Sequence, residues 1–172
     1  MLTITTLDAG LRIGAALGLG AAVGLERQIG KHPAGFRTMT LISIGSAAFV
    51  LLVIEVGAGQ SGMRSDSAAQ ATSRVLQGLT TGIGFLGAGT IVRADKSVHG
   101  LTTAAAVWCV AAIGAACGLG EIALASMVTA ASLLTLVLLK VCEWPIRALG
   151  PKSKDIDAPP AHNNTTKVSK PD

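Results

Sequence analysis

The 172-residue chain contains no tyrosine, three phenylalanines and two tryptophans. A water-soluble core of this size normally draws on more large aromatic side chains, because each buries a large apolar area. Charge is scarce too. Asp, Glu, Lys and Arg make up 14% of the sequence, against about 25% in a typical soluble domain, which leaves too little polar surface to face water. The three cysteines, Cys109, Cys117 and Cys142, form no CxxC pair; they read as small buried apolar side chains and not as a zinc or redox site. Ser-His-Asp and Cys-His arrangements are missing, and no two carboxylates are placed for acid–base work. The reading is therefore not an enzyme, and no cofactor is implied.

What remains is apolar and small. Half the residues are hydrophobic, the mean hydropathy is +0.57, and 21 residues are glycine. Membrane helices favour small residues at their contacts. Stretches without Asp, Glu, Lys or Arg cover 13–25, 38–54, 75–92, 100–120 and 122–139. A bilayer-spanning helix needs about 17–25 mostly apolar residues, which the last four runs supply. The first run is short, but Arg12 at its end can snorkel to the headgroups and let the helix begin near Leu7. A cleaved signal peptide is the alternative there. It lacks a basic n-region, since Asp8 is the first charge met. The expected fold is all-α, a polytopic membrane bundle of about five transmembrane helices over residues 1–149. Residues 150–172, rich in Pro, Lys, Asn and Thr, are expected to be a disordered polar tail. Residues 57–73 read as the longest external loop.

Positive charge orients such a bundle. Of the 14 Lys and Arg, eleven fall in the loops after the first and third runs and in the tail, and only Arg12, Arg64 and Arg74 on the other side. Five helices then place the N-terminus outside and the C-terminus in the cytoplasm. The same segregation, with no aromatic residues among the basic ones, argues against nucleic-acid binding.

Gly78, Gly82 and Gly89 share one face of the third helix, and Gly84 and Gly87 another. Glycines four apart let backbones approach closely in lipid, so this helix is expected to pack on both sides. Gly10, Gly14 and Gly18 repeat the pattern in the first helix, with Gly20 and Gly24 on a second face. Glycines inside an apolar run are not a phosphate loop. Glu26 ends the first helix and Arg37 opens the second, which makes them an expected ion pair, because a carboxylate at membrane depth is costly unless partnered. Asp66, Arg74 and Gln77 gather at the entrance to the third helix, where solvated charges are the default. His32 and His99 lie in two loops of the same side, without the further ligands that a metal site needs. No helix carries a carboxylate near its middle; the groups there are Ser43, Ser46, Gln77, Thr80, Thr81 and Ser132. A carrier that dehydrates a divalent cation would want charged oxygens at that depth.

Four motifs carry a resemblance. Gly24-Leu25-Glu26-Arg27-Gln28, Ala34-Gly35-Phe36-Arg37-Thr38, Gly82-Ile83-Gly84-Phe85-Leu86-Gly87-Ala88-Gly89 and Gly100-Leu101-Thr102-Thr103-Ala104-Ala105 with Trp108 stand in this order. Together they resemble the membrane domain of the MgtC/SapB family. The resemblance implies a bacterial inner-membrane protein linked to magnesium homeostasis and, in pathogens, to growth inside phagocytes. It also implies regulation of other membrane complexes, the F-type ATP synthase or a magnesium transporter among them. Glu26, Arg27 and Arg37 match the first motif pair; Asp66, Arg74 and Gln77 match with Ser67 where proline is common, and Phe36 replaces the more usual leucine. Many relatives continue into a cytoplasmic ACT-like domain, where this sequence has a short polar stretch.

Two readings follow. One is a non-catalytic regulator acting through helix contacts with a partner complex, with self-association allowed by the two glycine faces. The other is a magnesium transporter or channel subunit using Gln77, Thr80 and Thr81. In the first, magnesium is the signal; in the second, it is the cargo.

Overall fold

A computed structural model describes residues 4–59, 65–94 and 97–149 of the chain. Five helices account for most of them: α1 Thr6–Ile29, α2 Phe36–Gly59, α3 Ser65–Gly89, α4 Leu101–Leu119 and α5 Ile122–Leu149. Among the described residues, α1, α2 and α4 are long and apolar enough to cross a membrane, and α5 is apolar over Ile122–Leu138. Two compact units divide the chain at residue 138. The first holds α1 to α4 and the start of α5, and in the second the helical backbone of α5 is described as far as Leu149. The expected disordered tail, 150–172, lies outside the described residues.

Local chemistry sets the helix ends. Thr5 is extended and accepts a hydrogen bond from the Asp8 amide at 3.2 Å, capping α1. Gly100 and Gly120 bracket α4 with φ of +90° and +88°, a region open to glycine at little cost. At Gly100 a side chain would also strike the carbonyl of Thr90. Between α3 and α4 the structure has a feature the sequence did not announce. β1 Val92–Ala94 and β2 Ser97–His99 pair antiparallel, with Val92 opposite His99. A second difference concerns residues 57–73, expected as loop. α3 already begins at Ser65, because Ala68-Ala69-Gln70-Ala71 is a strong helix-forming run.

α2 is wedged between α1 and α4. A side chain at Gly20 or Gly24 of α1 would collide with Ser43, or with Phe36 and Met39, of α2. One at Gly114 would strike the Ser43 carbonyl, and one at Gly118 would come within 2.8 Å of the Ala47 carbonyl and of Val50 Cβ. Met39, Ser43, Ala47 and Val50 thus form the buried stripe of α2, spaced three or four residues apart. Ser43 Oγ donates to the Ala16 carbonyl at 2.7 Å, stitching α2 to α1. At the end of the bundle where α1 begins, Arg12 does not snorkel outward. Its Nη1 donates to the Gly118 carbonyl at 3.0 Å and its Nη2 pairs with Asp8 at 2.8 Å. A guanidinium there complements the negative C-terminal end of α4.

The glycines of α3 behave otherwise than expected. Among the described residues, Gly78, Gly82, Gly84 and Gly89 have no atom within 4 Å of the place a Cβ would take; Gly87 meets Ala104 and Trp108 at 3.8 Å. Gly10, Gly14 and Gly18 of α1 are equally open. The reason is competition for the packed face. Leu79, Ile83 and Gly87, four residues apart, turn inward on α3, which carries Gly78, Gly82 and Gly89 away from the bundle.

Gly114→Ala is accordingly expected to lower the thermal midpoint in detergent, at a cost of about 1–3 kcal/mol for overpacking. Gly82→Ala is expected to be neutral or slightly stabilising, since alanine is favoured over glycine in a helix by about 1 kcal/mol. Tryptophan fluorescence on heating reads both, and equal losses would refute this division of the glycines.

Candidate functional site

The buried residues of α1 are Ala16, Gly20, Val23, Gly24 and Arg27, a stripe of helical spacing that ends on a charge. Arg27 is 2% exposed. Its Nη2 donates to Thr103 Oγ1 at 3.0 Å, in the first turn of α4. Its Nε has no hydrogen-bond partner. Nor is Arg27 within ion-pair distance of a carboxylate among the described residues; the ion pair found there is Arg12–Asp8. Beside it, Glu26 is half-buried, with Oε2 also lacking a partner. Two charged groups therefore sit at the end of α1 with unmet hydrogen-bonding capacity, an arrangement that costs free energy and calls for a partner.

The chain leaves α1 in a short turn. The amide of Gly30 donates to Glu26 O at 2.9 Å and that of His32 to Arg27 O at 3.1 Å, while Lys31 takes a left-handed φ of 56°. Gly35 lies so close to the Gln28 side-chain oxygen that a Cβ would collide with it. The turn leaves an open cleft of about 590 Å³ lined by Leu25, Gln28, Pro33, Gly35, Phe36, Arg37 and Thr38. Arg37 stands exposed on this cleft.

The expected Glu26–Arg37 ion pair is not formed. Arg37, the second residue of α2, faces the open cleft, whereas Arg27 takes the interior position. Arg74 and Gln77 are exposed on α3. Asp66 falls in the first turn of α3, and its side chain lies outside the described residues. Among the described residues, Arg74 and Gln77 make no ion pair with the Glu26–Arg27 end. Among the described residues no three His, Cys, Asp or Glu side chains converge as metal ligands; His99 Nε2 pairs with Ser97 Oγ at 2.9 Å. Thr103 is the site residue that sequence reasoning missed. The signal for an inward Arg27 was nevertheless present, because Gly20, Val23, Gly24 and Arg27 repeat at i, i+3, i+4 and i+7.

The model of the MgtC family matches residues 13–144, a span that includes most of α1, all of α2 to α4 and the Arg27–Thr103 pair. The chain belongs to the MgtC family. Similar members include the SrpB protein of Synechococcus elongatus, 47% identical over 118 residues, which cover 64% of this chain and 63% of that protein. The MgtC protein of Salmonella typhimurium is 38% identical over 147 residues, covering 83% of this chain and 59% of its own. For the MgtC protein of Brucella abortus the figures are 41% over 104 residues, 60% and 40%. The chain thus spans less than two thirds of the length of these relatives. No solved structure matches it.

Thr103→Val, which keeps the shape and removes the acceptor, is expected to destabilise the protein by about 1–3 kcal/mol, because the buried guanidinium loses its partner. Thr103→Ser should restore most of that. Thermal midpoints of the three proteins in one detergent test this, and a Val variant as stable as the parent would exclude an energetic role for the bond.

Proposed function

We propose that this MgtC family member is a non-catalytic regulator in the bacterial inner membrane, serving adaptation to low magnesium through helix contacts with another membrane complex. A magnesium transporter or an F-type ATP synthase is the kind of partner intended. The observation that carries this reading is the open glycine face of α3. Gly78, Gly82 and Gly89 meet nothing among the described residues, and Gln77 is exposed next to Gly78. Small residues four apart and a side-chain amide are what a helix in lipid offers to another helix.

The close packing of α2 supports the same reading. α4 lies against the backbone of α2 at Gly114 and Gly118, and the buried hydroxyls of Ser43 and Thr129 donate to the carbonyls of Ala16 and Ala125. In this reading magnesium is the signal and not a ligand. The end of the bundle with Arg27, Lys31, Arg37 and Arg93 faces the cytoplasm, following the positive-inside rule, and the N-terminus lies outside.

Growth at limiting magnesium, in a strain stripped of its magnesium uptake systems, separates regulator from transporter. The regulator gives no rescue when expressed and inserted. Rescue, followed by magnesium flux in liposomes, would establish conduction instead. Gly82→Leu, which blocks the open face, is expected to abolish a low-magnesium phenotype in the parent strain while leaving thermal stability in detergent unchanged.

A further inference from the structure

The two ends of α4 are treated differently by the arginines of α1. Arg12 meets the C-terminal end, where a cation is favoured. Arg27 meets the N-terminal end, which is itself positive. The N-cap there, Gly100, supplies no side-chain hydrogen bond to the first-turn amides. A buried guanidinium and a helix N-terminus stand together without a carboxylate in ion-pair range among the described residues, and Arg27 Nε is left without an acceptor. Glu26 attracts Arg27 through space but is not within ion-pair distance of it. It lies 100° round α1 from Arg27, and its own Oε2 is unpartnered. The missing group is an anion with several acceptor oxygens.

An adjoining crevice narrows the choice of anion. It has a volume of about 340 Å³ and runs between α1, α4 and α5. Val23, one turn before Arg27, and Thr102, next to Thr103, line it at the end nearer Arg27; Cys109 of α4 and Val128 of α5 line it further away. From Thr102 to Cys109 it follows α4 for about 10 Å at 1.5 Å per residue. Its walls are almost wholly apolar, and Ala105 and Thr102 on its rim are exposed at the side of the bundle, where lipid chains would lie. A free inorganic anion gains nothing from such a crevice, whereas a phospholipid fits both parts.

We propose that this crevice is a binding site for one membrane phospholipid, whose phosphate is received by Arg27 and the first turn of α4 and whose acyl chain lies between α4 and α5. Phosphate oxygens are natural acceptors for a helix N-terminus and for a guanidinium. The site is independent of the magnesium reading and would exist in a regulator or a transporter alike.

The test uses the full chain purified in detergent, with bound lipid counted by native mass spectrometry. Phosphatidylglycerol is expected to be retained at one molecule per chain. Dioleoylglycerol, which has the chains but no phosphate, should be retained at least tenfold more weakly. Arg27→Gln removes the charge and Ala105→Phe fills the crevice while leaving Arg27 in place; each should weaken phosphatidylglycerol retention at least tenfold. Should Arg27→Gln fail to fold, Ala105→Phe decides alone. Undiminished retention by Ala105→Phe, or equal retention of dioleoylglycerol, overturns the proposal. So does inorganic phosphate that competes the lipid away as effectively as phosphatidylglycerol itself, because the site would then take a free anion.

Discussion

Backbone-to-backbone approach of α2 to its two neighbours is the constraint on which the rest of the bundle depends. Inside lipid, apolar side chains gain little by leaving the hydrocarbon for one another, so helix association relies on close van der Waals contact and interhelical hydrogen bonds. Gly20 and Gly24 of α1 and Gly114 and Gly118 of α4 remove the side chains that would hold α2 away. Ser43 occupies the middle of this arrangement. Its side chain bonds to Ala16 of α1 while its carbonyl lies against Gly114 of α4. A larger residue at any of these places would push the helices apart along their length, since they are stiff elements that pivot about their closest contact.

With the three helices held in this way, the ends of α1 and α4 are forced into register, and the two arginines of α1 fall on the two ends of α4. Arg12 finds a carbonyl, the negative end of a helix and the Asp8 carboxylate. Arg27 finds a hydroxyl and the positive end. In the first the charge is paired within the chain, although Arg12 Nε, like Arg27 Nε, has no hydrogen-bond partner. The second has unmet donors in a place of low polarity, where an unpartnered charge is costly. That imbalance of charge is the ground for the lipid site proposed at the Arg27 end of α1.

Much of the architecture was legible from the sequence. Charge-free runs located the helices, and the order of the motifs pointed to the family that the comparison then showed. Other features were not. The small hairpin of Val92–Ala94 and Ser97–His99 has strands of three residues, too short for a recognisable alternation of side chains. The early start of α3 was hidden because polarity was read as loop, although Ala68-Ala69-Gln70-Ala71 is compatible with a helix whatever its surroundings. The supposed Glu26–Arg37 pair failed because sequence proximity across a turn does not fix which of two arginines points inward. The stripe of Gly20, Val23, Gly24 and Arg27 carried that information, but only for a reader who already knew that this face of α1 was the packed one.

The sequence by itself determined the helices, the all-α class and the segregation of positive charge, because these follow from local composition and from residues close along the chain. Tertiary structure alone decided which glycines are used. Those on α3 and those on α4 look equally suited to close packing, and the choice falls to Gly114 and Gly118 because Ser43, Ala47 and Val50 of another helix lie against them. It likewise decided that Arg27, 76 residues away from Thr103, would be buried against the first turn of α4. Such a contact depends on how whole helices are juxtaposed, and no local pattern encodes that.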